Sequence, residues 1–369
     1  MGAATKLNGE RPFGSILHFN DQLDAGRFGC RSSAFDEMIR ASQVHFWDPL
    51  DPRYIDFKST FNLATQPLLP FSMAPALLTP YGQEQLPDRQ QQIAFVNDVA
   101  RWQFSSMLYG EQGALALSAN LCHRLHDVGA QEYAANQARE EARHVTAFGK
   151  YIQARWGRPD DCGPALKSLL RALNDASDVN HKIVGMQVIV EGLAMGAFAT
   201  GYQTNKDPLA RRLFQLVMTD EAFHHRFGEY WAGRVLPELS EAERNEIEDW
   251  VAYCFSQAVL NLVSPHQMAN VYEAYGLDVD RVAKELQAQR FADDIRRHEA
   301  KPSSMLKVVV GTLLRKGLVT ERTREMYPAH LSTDMGEDIG AHPVVEEGIA
   351  LLERINASSR ESSGWIENP

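Results

Sequence analysis

Two tetrads in this 369-residue chain pair a carboxylate with an imidazole at helical spacing: Glu141-Ala-Arg-His144 and Glu221-Ala-Phe-His224. No other histidine has a glutamate three residues before it. On a helix, residues three apart share a face, so each tetrad can present both donors to one point. A lone tetrad of this kind is commonplace on a solvated helix. The spacing around these two gives them weight. Glu111 stands 30 residues before Glu141, and Glu191 stands 30 residues before Glu221. The stretches that open on the two single glutamates also match: EQGALALSA at 111–119 and EGLAMGAFA at 191–199.

Residues that face each other across an antiparallel helix pair are equidistant from its turn. The midpoints of the two intervals fall near residues 126 and 206, where HDVG (126–129) and NKDP (205–208) break the helical pattern. Each arm is then 15 residues, or about 22 Å at helical rise. Each single glutamate is thus expected level with the tetrad of its partner helix. Two such hairpins, packed together, bring four glutamates and two histidines to one layer of a four-helix bundle.

The glutamates share their helical stripes with apolar side chains. Phe104, Met107, Leu108 and Leu115 flank Glu111, with Ser118 a polar end to that stripe; Val184, Val188, Met195 and Phe198 flank Glu191. Ala134, Ala138 and Phe148 run with Glu141, and Phe214 and Val217 with Glu221. An unpaired buried carboxylate costs several kcal/mol, by rough estimate. Four together must be protonated or matched by positive charge, and no arginine or lysine cluster lies on these stripes. Two divalent cations would match four carboxylates, and a set of carboxylates and imidazoles suits iron or manganese. The competing reading turns some of these glutamates to solvent.

Around these residues the pattern is helical, and no long alternating strand pattern appears. Helices are expected over about 88–127, 131–156, 165–176, 180–202 and 208–235. Asp207-Pro208 supplies a cap and first turn, and Ser240 with Glu243 makes a capping box for a further helix. More helices are expected at 278–298, 303–316 and 343–356. Residues 1–87, rich in proline, read as an arm of extended and short-helix pieces packing on the core. Residues 88–275 read as the four-helix core with its following helix, and 276–369 as C-terminal helices and tail, one structural domain in all.

Composition limits the function classes. A formal net charge of −11 argues against a nucleic-acid partner, which needs a basic face. The apolar stretch 186–200 is short for a membrane span and carries Glu191, so it reads as a buried core helix. The four cysteines form no CxxC and read as free thiols in a reducing cytoplasm. No apolar signal-peptide core is visible at the N-terminus.

The two glutamates and two Glu-x-x-His tetrads resemble the ferritin-like di-metal carboxylate superfamily, whose members include ferritins, ribonucleotide reductase small subunits, multicomponent monooxygenases, acyl desaturases and arylamine N-oxygenases. The resemblance covers 111–224 and implies that Glu111, Glu141 and His144 bind one metal. Glu191, Glu221 and His224 would bind the other, with Glu141 and Glu221 able to bridge. It implies two iron ions, with manganese or a mixed pair as variants. It also implies that the acids before the tetrads, Glu140 and Asp220, hydrogen-bond the histidine of the opposite tetrad; a surface charge is the other reading of Glu140. The segment FWDPLDPRYIDF (46–57) is similar to the Trp-Pro-Ile-Asp-Phe lead-in of reductase small subunits and their ligand-oxidase relatives, and reads otherwise as a packed, turn-rich arm.

Departures from relatives narrow the activity. Phe148 stands where reductase small subunits carry their radical tyrosine, with Tyr151 one turn along. Val217 stands where arylamine N-oxygenases add a seventh ligand. Met195 replaces the threonine of multicomponent hydroxylases. His225 points about 100° away from His224 and reads as a surface residue or a support for the ligands. Small residues beside two of the glutamates, Gly113, Ala114, Gly192, Ala194, Gly196 and Ala197, either leave volume for a substrate or let helices pack closely. Gly113, Ala114, Phe148, Gly192 and Met195 are the candidate pocket residues.

The resemblance therefore implies a di-iron oxygenase or oxidase acting with dioxygen on a small or medium organic substrate, by hydroxylation, N-oxygenation, desaturation or cleavage. Electrons would come from an external ferredoxin or reductase, since no flavin, nicotinamide or iron–sulfur motif is visible. A homodimer is one assembly it allows. The other classes are an iron-binding ferroxidase, a reductase-like radical subunit and a metal-free helical interaction protein.

Overall fold

The computed structural model describes residues 14, 16, 18–296, 304–327 and 343–363. The described residues form helices and connecting turns, with no strand among them. Among the helices of nine residues or more the first is α1 (Asp36–Val44), followed by the long pair α2 (Arg89–Arg124) and α3 (Val128–Trp156). Next come α4 (Pro164–Asp175), α5 (Val179–Thr204) and α6 (Pro208–Val235). Then follow α7 (Glu241–Val263), α8 (Val279–Arg296), α9 (Ser304–Arg315) and α10 (Pro343–Ser363).

The caps explain why the chain turns where it does. Asp88 accepts hydrogen bonds from the amides of Gln90 and Gln91, opening α2. Asp127 does the same for α3, Asp178 for α5 and Asp207 for α6. Each satisfies amides that the helix itself leaves without acceptors. Gly157 ends α3 with φ 78°, a left-handed conformation that a side chain would oppose. The breaks at 125–127 and 205–207 are short, so α2 returns as α3 and α5 returns as α6, and the two hairpins pack together as a four-helix bundle.

The expected helix over 180–202 is interrupted. Val184–Val190 is a π-helical stretch between α-helical Val179–Ile183 and Glu191–Thr204. The extra residue per turn falls just before Glu191, so the arm from Glu191 to the 206 turn is regular α-helix. The whole α5 is long and apolar enough to cross a membrane, yet its most apolar window is 72% buried inside the protein. Gly228 of α6 crosses this π stretch closely. A Cβ there would lie 2.6 Å from the Gln187 Cβ. Gly228→Ala should therefore destabilise the fold by about 1–3 kcal/mol through overpacking, read as a lower denaturant midpoint.

The other helices sheath the bundle. α9 packs on α5, α10 on α6, and α7 covers α4 and the π stretch. The segment before α2 folds as short helices and turns over the bundle, burying Trp47, Leu68 and Leu69. All four cysteines are free.

Candidate metal centre

The four bundle helices bring Glu111, Glu141, His144, Glu191, Glu221 and His224 together, all buried. They form two overlapping groups. Donor atoms of Glu111, Glu141, His144 and Glu221 lie within 4.8 Å of one another, as do those of Glu141, Glu191, Glu221 and His224. Glu141 and Glu221 belong to both groups, and each faces both histidines.

Each histidine has an inner and an outer nitrogen. His144 Nε2 pairs with Asp220 at 2.8 Å, and His224 Nε2 pairs with Glu140 at 2.8 Å. The acid before each tetrad thus holds the imidazole of the other. The inner Nδ1 of His144 faces Glu221 at 3.0 Å, Glu111 at 3.1 Å and Glu141 at 3.5 Å. That of His224 faces Glu221 at 3.0 Å and Glu141 at 3.1 Å. One ring N–H cannot serve three carboxylates, and Glu141 Oε2 and Glu221 Oε1 have no hydrogen-bond partner. A cation among these oxygens, with Nδ1 as a neutral donor, satisfies all of them. The residues fit two divalent ions by donor chemistry as well as by position.

Electrostatics point the same way. Burial pushes the Glu111 and Glu191 carboxyls well above their usual range, and the neighbouring Glu221 charge adds to it. Burial also opposes ionisation of Glu141 and Glu221, but the imidazoliums of His224 and His144 outweigh it and hold both low. The histidines are raised correspondingly: burial disfavours their charge, and the surrounding carboxylates more than offset it. Asp220 is held to about 2, where Arg143 and His144 overcome its burial.

Further residues support the ligands. Trp47, from the arm, donates its indole N–H to Asp220 Oδ2 at 2.8 Å and stacks on the His144 ring at 5.9 Å. Arg143 binds Asp220 Oδ1 at 2.8 Å. Gln137 donates to Glu141 at 3.0 Å and accepts from Gln187 of the π stretch at 3.3 Å. Tyr133 is fully buried beside the cluster, its hydroxyl without a hydrogen-bond partner. His225 is buried, not at the surface, and its Nδ1 meets the Gln187 carbonyl at 2.9 Å. Trp47→Phe keeps the ring and removes the donor. It should weaken metal affinity by about tenfold in competition with a chelator, and unchanged affinity would mean Trp47 only packs.

Two turns from the glutamates, one phenylalanine from each bundle helix forms an aromatic layer. Phe104, Phe148, Phe198 and Phe214 each stand seven residues from Glu111, Glu141, Glu191 and Glu221. Their ring centroids lie 5.2 Å apart for Phe104–Phe214 and 5.8 Å for Phe148–Phe198 and Phe198–Phe214. Phe104, Phe198 and Phe214 also line the cavity that reaches Glu111 and Glu191.

A cavity of about 280 Å³ opens between α2 and α5, with Glu111 and Glu191 on its wall. Ala114, Ala194 and Ala197 line it. Four of the candidate pocket residues do not. A Cβ on Gly113 would meet Leu170 at 2.5 Å and one on Gly192 would meet Val309 at 2.9 Å, so these two glycines serve close helix packing. Phe148 belongs to the aromatic layer, and Met195 is buried in the core beside it. Phe104, Leu169, Leu193 and Gly201 line the cavity in their place.

No family model and no curated protein matches the chain. Among solved structures it is similar to two variants of an R2-like ligand-binding oxidase, one with an anaerobically and one with an aerobically reconstituted Mn/Fe cofactor. Both matches have 18% identity and cover 78% of this chain and 94% of the other, with TM-scores of 0.41 and 0.39. Two antiparallel hairpins, each carrying one glutamate opposite one Glu-x-x-His, converge here on a single buried layer. This all-α, four-helix architecture and its six buried donors fit the pattern described for di-metal carboxylate bundles.

Proposed function

We propose that the chain is a non-haem di-metal oxidase or oxygenase that uses dioxygen to oxidise a small or medium organic substrate. The carrying observation is the adjacency of two donor groups, sharing Glu141 and Glu221, to a cavity of organic size that reaches Glu111 and Glu191. Glu111, Glu141 and His144 would hold one ion, and Glu191, Glu221 and His224 the other. Iron is the first choice for both, and a manganese–iron pair suits the same donors. When bound, the pair supplies the redox and Lewis-acid chemistry that side chains lack.

The chain's own part is placement and exclusion. Asp220 and Glu140 anchor the outer imidazole nitrogens, leaving the inner ones to face the ions. Glu141 and Glu221 face both histidines, the position from which each would be shared between the two ions. The phenylalanine layer and the apolar cavity wall keep water from competing with substrate. Electrons come from a separate donor such as a ferredoxin or reductase.

Anaerobic loading with ferrous iron should saturate at two ions per chain. Admission of oxygen should then give a transient visible absorbance, and a fitting organic molecule should hasten its decay and emerge oxidised. Saturation below one ion per chain would end this reading. Rapid iron oxidation with no organic product, across amines, aromatics and acyl compounds, would leave only a ferroxidase.

A further inference from the structure

Among the described residues lining the cavity, the only charged side chains are Glu111 and Glu191, both at the proposed metals. No lysine, arginine or histidine faces it to receive a carboxylate, phosphate or sulfate. The rest of the wall is apolar or neutral. Within that wall, Trp102, Asn205 and Asn261 are each more than nine-tenths buried and carry a polar atom with no hydrogen-bond partner in the protein. The atoms are Trp102 Nε1, Asn205 Nδ2 and Asn261 Oδ1. Leaving such groups unpaired is unfavourable, so a cavity that gathers three of them is built to be filled by something with neutral polar atoms.

Two of the three lie together. A Cβ at Gly163 would be 3.0 Å from Asn261 Oδ1 and 3.1 Å from the Trp102 ring. Trp102 precedes Glu111 by nine residues on α2, about 13 Å along the axis. Apolar side chains, Phe104, Leu169, Leu193 and Ala197, line the cavity as well. The polar pair and the carboxylates therefore stand about 13 Å apart along α2, on the wall of one largely apolar cavity.

Building on the oxidase reading above, we infer that the substrate is an uncharged, elongated molecule whose neutral hydrogen-bonding head, an amide or alcohol, is held by Trp102 and Asn261, and whose apolar end is presented to the metal pair. A free acid, an amine or a phosphorylated carrier has no counter-charge at the head position. Taking its charge out of water uncompensated opposes binding.

The test is calorimetric binding of an octyl series to the full chain loaded with zinc, which fills the site without turnover. Octanamide and octanol should bind, with octanoate and octylamine weaker by at least about tenfold. Trp102→Phe, which keeps the ring, and Asn261→Leu should each weaken octanamide by about five- to tenfold. Octanoate or octylamine binding as tightly as octanamide, no octyl compound binding, or Trp102→Phe leaving octanamide unaffected would overturn the inference. The iron-loaded chain separates the two claims. The expected binding order without any oxygen-dependent product supports this recognition and sinks the oxidase reading. Product from octanoate but not octanamide does the reverse.

Discussion

Glu221→Gln is expected to lose both metal ions, while Glu111→Gln is expected to lose one. Glutamine keeps the shape of the side chain, so the comparison isolates the charged donor. Glu221 faces His144 and His224, each at 3.0 Å, and belongs to both donor groups. Glu111 belongs to one and meets His144 alone of the two histidines. Elemental analysis after dialysis should find well under one ion per chain in the first variant and about one in the second. Oxygen-dependent turnover should fall by about a thousandfold or more in both, because a single ion cannot replace the pair. Two ions retained by Glu221→Gln would show that it does not bridge, and the shared-ligand geometry would have to be abandoned.

The second large effect is a pH dependence of what the metals do for stability. In the chain stripped of metal, Glu111 and Glu191 hold their protons above the usual range for a glutamate, because burial and neighbouring charge disfavour ionisation. His144 and His224 hold theirs above the usual range for a histidine, because carboxylates surround them. All four shifts run upward, so the folded stripped chain binds more protons than the unfolded chain. Stability must then fall as pH rises. For the glutamates the loss begins near 4.5, where unfolded glutamate ionises, and for the histidines near 6.5. Glu141, Glu221 and Asp220 are shifted downward, so most of their contribution is gained below pH 5 and they change the slope little above it. Metal uptake requires those protons to leave, so the loaded chain escapes the loss. The gap in melting temperature between loaded and chelator-treated protein should widen by about 5–10 °C from pH 5 to pH 8. A gap that is constant or narrows would mean that the six donors are not where cations bind.

Much of this was readable from spacing alone. The hairpin turns at 125–127 and 205–207 lie where the two 30-residue intervals placed them, because helical rise makes equal arms meet at equal depth. Caps at Asp207 and Ser240 were readable for a similar reason: their chemistry is local. The π stretch was not. Val184–Ile189 are buried on every side, so their apolar run has no phase from which a change of period could be seen. Trp47 and Asp220 lie 173 residues apart, and nothing near either announces the other. The glycines misled because smallness serves two ends. At 113 and 192 it admits a neighbouring side chain, whereas Ala114, Ala194 and Ala197 line the volume beside Glu111 and Glu191.

The indole hydrogen bond from Trp47 to Asp220 has a consequence for the arm itself. That bond fixes the acid that fixes the His144 imidazole, so the coupling must run in both directions. Ions that tighten the imidazole also fasten the strap around 46–57, and a protease or partner that peels the strap away releases ions. Cleavage near this segment should therefore slow when the centre is filled, making susceptibility to digestion a gauge of metal occupancy at a distance from the metals.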